Sequence, residues 1–365
     1  MKKKIFLIIP NLSSGGAEKL VVQMAAKLDK EKFHVIVVSL YGKKDSKQNH
    51  LEKLERQKIK IYFLNKKRGP DLRILIKLIS LIKREKPDVL HSHLYAGPYV
   101  YFASLFCHTK FIHTVHNMAE KEMSELQKKA MKSAYKKGIG VPIAISKTVA
   151  QSMENVYGNV IKKPVCVIYN GVDLESFSMR CNSENDSIIY IGIGRLTKQK
   201  NFEFMIRAFE KVTHICDKTR LIILGEGELK SDLEKLIESY KIVDKVELLG
   251  YTPDVSRYLQ HSDVFLMTSL YEGFGLVLVE AMASGLPVIA TKVDAIPEIV
   301  RDGIDGFNVE KNSVNIFAEK MIELAKNPEK RKKMGEYARK HAQKFELKKM
   351  IKNYEELYLR FCEKD

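Results

Sequence analysis

Two glutamates separated by seven residues mark the most chemically informative segment of the chain. Glu272 lies at the edge of a Glu-Gly-Phe-Gly-Leu loop, and Glu280 lies in the apolar helical stretch that follows. Glycines let a backbone approach a ligand closely, and the free N–H groups of a helix start suit an anion. Glu280 is the only charged residue between Gly273 and Thr291. A carboxylate in so apolar a stretch needs hydrogen-bonding partners, which sugar or ribose hydroxyls would supply.

Each acid also has a purely structural interpretation, with Glu272 on a loop surface and Glu280 buried but satisfied within the protein. The order of the segment favours a binding site, because the loop follows a strand pattern at Val264–Met267 and leads into a helix. The residues predicted to bind a ligand there are Glu272, Gly273, Phe274, Gly275, Leu276 and Glu280.

A second segment places two cations in a glycine-containing turn. Arg195 and Lys200 follow the strand pattern at 187–192 and precede a helical pattern. A guanidinium can bind a diphosphate through two oxygens, and an ammonium adds a point charge. Each cation taken alone would be interpreted as a surface charge, as Lys198 is. Their order and spacing after a strand predict instead a diphosphate contact.

Two adjacent glycines, Gly15 and Gly16, separate the first strand pattern from the first helical pattern. Successive N–H groups at a helix start can bind an anion, although Gly-Gly pairs are also common in tight turns. The segment is not a Walker A loop, since no Gly-Lys-Ser/Thr follows, and it lacks the full dinucleotide fingerprint.

Histidines lie at the ends of two further strand patterns. Within residues 111–117, strand alternation places His113 on one face and His116 on the other. His91 and His93 have a spacing that could suggest a metal site, but no carboxylate cluster accompanies them. We therefore predict no metal site.

These motifs need a framework that gathers strand ends. A chain of 365 residues exceeds one usual hydrophobic core, so two domains are expected. Short apolar runs alternate with amphipathic stretches, which is typical of parallel sheets flanked by helices. In two doubly wound domains, ligands bind beyond the carboxyl ends of the strands, where the motifs fall.

The predicted strands of the first half are 5–9, 34–39, 59–63, 89–91, 111–115, 143–145 and 165–168. Those of the second half are 187–192, 221–224, 246–249, 264–267, 288–290 and 306–309. The clearest predicted helices are 17–28, 72–83 and 345–361. A polar stretch at 176–186 separates the two series, and we place the boundary between residues 172 and 173.

Charge also separates the two halves. Residues 1–172 contain 32 Lys and Arg against 13 Asp and Glu, a balance of +19, whereas the rest contains 30 against 32. A basic half fits nucleic acid, anionic lipid or a phosphorylated acceptor, and a solvated lysine-rich surface is the alternative. The chain lacks Trp and any basic patch interleaved with aromatic residues, so we predict no nucleic-acid partner. Five scattered cysteines fit a reduced, cytosolic setting.

The Glu-x7-Glu spacing, with Gly-Phe-Gly-Leu inside it and Ser-Gly-Leu-Pro-Val-Ile after it, resembles the family 4 glycosyltransferases of the GT-B fold. The resemblance covers essentially the whole chain, because the Gly-Gly, histidine and Arg-x4-Lys segments match in the same order. It implies an α/β protein with two Rossmann-like domains, 1–172 and 173–344, that face each other across a cleft. A C-terminal helix within 345–365 would cross back to the first domain.

The resemblance implies a catalytic role for four residues. Arg195 and Lys200 would hold the donor pyrophosphate and stabilise its charge as the sugar leaves. Glu272 would bind hydroxyls of the transferred sugar, and His116 would lie near that sugar. These enzymes use cationic side chains where others use a metal with Asp-x-Asp, a motif that this sequence lacks.

Donor-binding roles follow in the same way. Gly15 and Gly16 would reach toward the diphosphate and the acceptor, and Glu280 would bind the ribose. Segments at Gly225 and Tyr251 would line the base, although Tyr251 is equally well interpreted as a core or rim residue. One departure is Asp294, where many relatives carry a Gly-Gly pair; it marks either donor specificity or loop drift.

The implied function is retaining transfer of a hexose or N-acetylhexosamine from a nucleotide sugar, with a UDP-sugar preferred. The acceptor would be a glycan or a lipid-linked molecule in cell-surface polysaccharide synthesis. The alternatives are a GDP-mannose-dependent mannosyltransferase and a GT-B epimerase of nucleotide sugars. No cofactor is expected. The expected location is the cytoplasm, with the basic domain held against the inner face of the membrane.

Overall fold

The computed structural model describes residues 2–13, 15–161, 164–177 and 187–363. The chain divides into two compact units, one formed by Met1–Gly171 with Lys348–Asp365 and the other by Val172–Leu347. The predicted division lay after residues 172 and 344. Residues 178–186 of the predicted linker, and Ser14 beside the Gly-Gly pair, lie outside the described residues.

Among the described residues of the first unit, seven parallel strands form one sheet in the order β3-β2-β1-β4-β5-β6-β7. The strands are β1 Lys3–Ile9, β2 Phe33–Ser39, β3 Lys60–Phe63, β4 Val89–His93, β5 Phe111–Val115, β6 Gly140–Ala144 and β7 Cys166–Val167. The helices are α1 Gly16–Lys27, α2 Gln48–Arg56, α3 Leu72–Glu85, α4 Gly97–Cys107, α5 Ala119–Glu122, α6 Glu125–Lys136 and α7 Lys147–Tyr157.

The described part of the second unit contains a parallel sheet of six strands in the order β10-β9-β8-β11-β12-β13. The strands are β8 Ile188–Ile193, β9 Thr219–Leu224, β10 Val246–Gly250, β11 Val264–Met267, β12 Val288–Thr291 and β13 Gly306–Val309. The helices are α8 Phe202–Thr213, α9 Lys230–Ser239, α10 Val255–Gln260, α11 Leu276–Ala283, α12 Ile296–Ile299, α13 Val314–Lys326 and α14 Pro328–Ala342. The last helix, α15 Leu347–Glu363, belongs almost entirely to the first unit.

Every predicted strand is confirmed, with differences only at the ends. Strand β4 continues two residues beyond its predicted end, so His91 and His93 both lie within it. Strand β6 begins three residues before its prediction and includes Pro142. The missing N–H of that proline is tolerated because β7 pairs only with Ile143 and Ala144.

The C-terminal helix begins later than predicted, because residues 343–345 form a 3-10 turn. Phe345 in that turn is buried in the second unit and packs edge-on against Phe274, with ring centroids 5.5 Å apart. Burial of this ring holds the chain there before α15 begins.

Helix α15 is held to the first sheet by polar groups as well as by apolar ones. Tyr354 and Tyr358 are fully buried, so each hydroxyl needs a partner. The Tyr358 hydroxyl lies 2.7 Å from His91 Nδ1, and the Tyr354 hydroxyl lies 3.1 Å from Thr114 Oγ1. His91 Nε2 closes the network at 2.7 Å from the same Thr114 oxygen. The strands and the helix therefore satisfy each other's buried polar atoms.

None of the helices within the described ranges is both long and apolar enough to cross a bilayer.

Candidate active site

The loops that follow β8 and β9 pack backbone against backbone. A Cβ atom on Gly225 would lie 1.8 Å from the Gly194 carbonyl oxygen, and Gly225 has a φ of +146°. A Cβ on Gly227 would lie 2.3 Å from the Leu196 carbonyl oxygen. No side chain fits at either position, so these glycines set the position of the turn that carries Arg195.

The turn after β8 presents one cation to solvent and pairs the other. Arg195 is exposed, and its side chain has no hydrogen-bond partner among the described residues. The Lys200 ammonium forms an ion pair with the Glu272 carboxylate, and about one-sixth of each side chain is exposed. Two residues predicted from separate motifs thus meet at the carboxyl edge of the second sheet.

The loop after β11, which carries Glu272, is bound to its neighbours on both sides. The Leu270 N–H donates to the Gln199 carbonyl at 2.8 Å, and the Gln199 side chain donates to the Tyr271 carbonyl at 3.1 Å. On the other side, Asp294 accepts the Glu272 N–H at 2.8 Å. The backbone beside Glu272 is therefore held from β8 and from β12.

Asp294 has a left-handed φ of +41°, a conformation that asparagine and aspartate adopt more readily than most residues. Its carboxylate contacts the backbone of the Glu272 loop. From the sequence alone, Asp294 is interpreted as a mark of donor specificity or as loop drift. The structure gives it a third use, because it supports the loop that carries Glu272.

Helix α11 begins after a residue in the left-handed backbone conformation, which glycine adopts without strain. Gly275 is its N-cap with a φ of +83°, and Leu276 is its first residue. Phe274 is buried against Phe345, which anchors the loop before the helix. Glu280 is only 5% exposed within α11, as its apolar surroundings predicted.

The predicted base-binding segments follow β9 and β10. The Gly225 N–H donates to the Gly250 carbonyl at 2.8 Å, so these two loops lie side by side. Tyr251 is 45% exposed, which excludes the core interpretation and leaves a rim or ligand-facing position.

The remaining predicted residues, Gly15, Gly16 and His116, belong to the first unit. Gly15 is the N-cap of α1 in an extended conformation, with a φ of −81° and a ψ of 166°. A nest, in which successive backbone N–H groups converge on an anion, requires alternating right- and left-handed helical conformations, which Gly15 does not adopt. A Cβ on Gly15 would lie 2.1 Å from Glu18 Oε2. The other carboxylate oxygen, Glu18 Oε1, accepts a hydrogen bond from the Ser13 hydroxyl. The start of α1 thus lies beside a carboxylate from its own first turn.

The half-buried His116 joins three buried histidines, His91, His93 and His113, at the carboxyl ends of β4 and β5. His93 Nδ1 lies 2.9 Å from His116 Nε2, and the rings of His91 and His93 stack with centroids 4.1 Å apart. Burial lowers the pKa of His113 and of His116 to about 3, and the pKa values of His91 and His93 are also far below the ordinary range. All four rings are therefore neutral at pH 7.

The sequence interpretation missed Glu122. Its side chain is 3% exposed and lies 3.8 Å from His113. It stands within a charged stretch, Glu120-Lys121-Glu122, which gives no signal that one of these acids is buried. No group of three or more His, Cys, Asp or Glu in the described part of the chain could hold a metal ion.

Two protein-family models match the chain. "Glycosyltransferase Family 4" matches residues 14–176, and "Glycosyl transferases group 1" matches residues 176–341. N-acetyl-alpha-D-glucosaminyl L-malate synthase of Bacillus anthracis is 30% identical over 305 residues, which cover 79% of this chain and 78% of that protein. An Escherichia coli relative, UDP-Gal:alpha-D-GlcNAc-diphosphoundecaprenol alpha-1,3-galactosyltransferase, is 28% identical, and the match covers 70% of each chain.

Solved structures show the same fold. A glycosyltransferase from Rickettsia africae superimposes with a TM-score of 0.84 at 23% identity and covers 99% of this chain and 98% of its own. Anabaena HepE, in complex with UDP and glucose, gives a TM-score of 0.83 at 18% identity, with 97% and 99% covered. Two parallel doubly wound sheets with such neighbours show the GT-B fold.

The match of sequence over both units is more specific than the fold. The chain belongs to the family 4 glycosyltransferases and is a transferase enzyme.

The neutral histidine cluster predicts sensitivity to acid. Below pH 6.5 these histidines take up protons in the unfolded chain but stay neutral in the folded protein. The free energy of unfolding of the first unit should therefore fall by about 1.4 kcal/mol per pH unit for each such histidine. Urea unfolding followed by circular dichroism between pH 6.5 and 5 measures this slope.

His116→Gln should lower the slope of unfolding free energy against pH by about 1.4 kcal/mol per pH unit, the contribution of one proton. His34→Gln, at an exposed position, should leave the slope unchanged. Equal slopes for the wild type and His116→Gln would contradict a neutral His116.

Proposed function

We propose that this enzyme is a retaining glycosyltransferase that moves a hexose or N-acetylhexosamine from a UDP-sugar to a glycan or lipid-linked acceptor. The observation that carries the proposal is the arrangement of Arg195, Lys200 and Glu272. Lys200 and Glu272 come from separate loops and form an ion pair, and Glu272 lies beside Gly275 at the start of α11. The exposed Arg195 belongs to the same turn as Lys200, at the carboxyl edge of the same sheet. Doubly wound sheets bind nucleotides at this edge.

In this proposal the donor diphosphate lies against Arg195 and Lys200. The exposed guanidinium is available to two phosphate oxygens without breaking a protein contact among the described residues. Lys200 is already paired, so its ammonium would be shared between Glu272 and a phosphate. Glu272 would then hold the ammonium in place and accept hydrogen bonds from the sugar hydroxyls.

The nucleoside half of the donor would use the neighbouring elements. Glu280, buried in α11, is assigned to the ribose hydroxyls, since a carboxylate accepts hydrogen bonds from two of them. The loops at Gly225 and Tyr251 are assigned to the base. Gly273, Phe274, Gly275 and Leu276 would offer the helix start and its backbone to the phosphates.

Catalysis is proposed to rest on positioning and charge stabilisation. As the bond between the sugar and the diphosphate breaks, negative charge grows on the leaving phosphate, where Arg195, Lys200 and the N–H groups of α11 stabilise it. That phosphate would accept the proton of the acceptor hydroxyl as the acceptor oxygen bonds to the anomeric carbon. Because the new bond forms on the face that the diphosphate leaves, the anomeric configuration is retained. The positive charge comes from side chains, and the proposal assigns no metal and no cofactor.

Similar proteins support the choice of donor and acceptor. HepE was solved with UDP and glucose, and the Escherichia coli relative is named for a UDP-sugar donor and a lipid-diphosphate acceptor. The basic first half of the chain suits an acceptor that carries phosphate or is held in an anionic membrane.

We also propose that the first unit binds an anionic membrane surface. Helices α3, α4 and α6 pack side by side and expose large apolar side chains that monomeric proteins usually cover. These are Leu72, Ile76, Phe102, Phe106 and Leu126. Exposed lysines on α6, among them Lys129, Lys132 and Lys136, add positive charge beside them. Apolar tips surrounded by cations match an anionic bilayer, in which rings enter the interface and cations meet headgroups.

A donor screen tests the choice of nucleotide sugar. UDP-sugars should raise the melting temperature, because a ligand well above its Kd stabilises the folded state by a few kcal/mol. GDP-mannose at the same concentration should have a smaller effect. The opposite order would indicate the mannosyltransferase alternative, and the absence of a shift with either donor would contradict donor binding.

Arg195→Ala should lower the rate of transfer about 100-fold, which corresponds to about 3 kcal/mol in the barrier. Lys198→Ala is the matched control, because Lys198 is an exposed cation in the same turn. It should keep a rate close to that of the wild type. An Arg195→Ala enzyme with near-normal turnover would overturn the assignment of the diphosphate site.

Sedimentation with phosphatidylglycerol vesicles tests membrane binding. The wild type should bind at low salt and dissociate as salt rises. The double variant Phe102→Ser/Phe106→Ser should bind at least about tenfold more weakly than the wild type. Val243→Ser/Ile316→Ser, which removes exposed apolar residues of the second unit, is the matched control. Failure of the wild type to bind, or equal binding by both variants, would contradict the proposal.

A further inference from the structure

The backbone directly after β5 is held by side chains. Glu122 Oε2 accepts the N–H of His116 at 2.6 Å and that of Asn117 at 2.8 Å. The Met118 N–H donates to the Asn117 side chain at 2.9 Å, and the Ala119 N–H donates to Ser152 Oγ at 3.0 Å. Four successive N–H groups thus depend on side-chain acceptors, and Glu122 supplies the acceptor for the two nearest the strand.

The other oxygen of Glu122 faces a histidine. Glu122 Oε1 lies 3.8 Å from His113 Nε2, and both atoms are buried without a hydrogen-bond partner among the described residues. The Ser92 hydroxyl donates to the Ile112 carbonyl at 3.2 Å, so His113 Nδ1–H donates to Ser92 Oγ at 2.8 Å. His113 Nε2 then carries a lone pair. A lone pair and a carboxylate oxygen repel each other unless a proton lies between them.

The surroundings of Glu122 offer little to stabilise a negative charge. The titratable groups that face it are His113 and His116 from β5 and its end, Tyr135 from α6 and Tyr157 from α7. All four are uncharged at neutral pH, because burial lowers the pKa of both histidines and raises the pKa of both tyrosines. None of them supplies a positive charge to Glu122. Burial also raises the pKa of Glu122 to about 8, against the opposing effect of its two backbone hydrogen bonds.

We propose that Glu122 is a positioning residue for sugar transfer, which holds His116 in place while its protonated carboxyl group faces His113. The proposal rests on the proposed function, because it takes His116 to lie near the transferred sugar, as the family resemblance implies. His116 Nδ1 and His93 Nε2 are buried and have no hydrogen-bond partner in the described ranges. They lie at the carboxyl ends of β4 and β5, where a doubly wound sheet binds ligands.

The proton links the position of His116 to pH. When the carboxyl group loses it, a buried negative charge faces the lone pair of His113, and the segment must open to hydrate that charge. Transfer should therefore fall as pH rises through about 8. The folded protein binds this proton more tightly than the unfolded chain does. Below pH 6.5 the histidines act in the opposite direction, so the effect of Glu122 should appear between about pH 6.5 and 8. There the unfolding equilibrium constant should rise with pH, up to tenfold per pH unit.

Glu122→Gln separates positioning from simple structural support. The amide oxygen can accept the two backbone N–H groups, and the amide N–H can donate to His113 Nε2, so glutamine imitates the protonated acid. The control is Glu120→Gln, an exposed acid in the same helix. The measurement is kcat and the donor KM from pH 6.5 to 9.5, with the donor found by the thermal screen.

The wild type and Glu120→Gln should lose activity about tenfold per pH unit above pH 8, whereas kcat of Glu122→Gln should stay level there. At pH 7 Glu122→Gln should keep kcat within about threefold of the wild type. The donor KM should be similar in all three proteins. An unchanged alkaline fall of kcat in Glu122→Gln, or a folded Glu122→Gln that is inactive at every pH, would overturn the proposal.

Infrared difference spectroscopy between the wild type and Glu122→Gln tests the proton without any substrate. A carboxylic-acid carbonyl band should be present at pH 7 and disappear above pH 9. Its absence at pH 7 overturns the proposal even if transfer occurs. If the band is present and no nucleotide sugar is a donor, then the proposed function has failed and the proton assignment stands.

Discussion

Four histidine rings at the carboxyl ends of β4 and β5, three of them buried and that of His116 half-buried, set the main constraint on the first unit. Each ring nitrogen lost its water on folding and needs a protein or ligand partner. Tyr358 and Thr114 satisfy His91, and His93 pairs with His116. The position of α15, which ends the chain but joins the first unit, follows from these requirements as much as from apolar packing.

The second unit depends on a different constraint, the close approach of backbones. Gly225 leaves room for the carbonyl group of Gly194, and Gly275 adopts the left-handed conformation that begins α11. Because these loops lie so close, the side chains of Lys200 and Glu272 meet although 71 residues separate them along the chain. Lys200 and Glu272 thereby hold each other in place before any ligand arrives, which lowers the cost of ordering them.

The two units therefore handle charge in opposite ways. The candidate donor site of the second unit keeps charged groups partly exposed, where a diphosphate can reach them. The cluster of the first unit keeps its histidines neutral through burial, and the Glu122 carboxyl group carries the pH response on the alkaline side. A basic surface outside that cluster adds charge without disturbing it.

The sequence by itself determined the strands, their division between two units and the segments that carry the site, because apolar periodicity and glycine spacing are local signals. Arg195, Lys200 and Glu272 were recognisable from such spacing. Tertiary structure alone decided the ion pair of Lys200 with Glu272, the support of Glu272 by Asp294 and the burial of Glu122. These are contacts or surroundings that the fold creates. The sequence pattern around a charged residue such as Glu122 predicts exposure to solvent. Its burial depends on residues that are distant in the sequence and that only the fold brings around it.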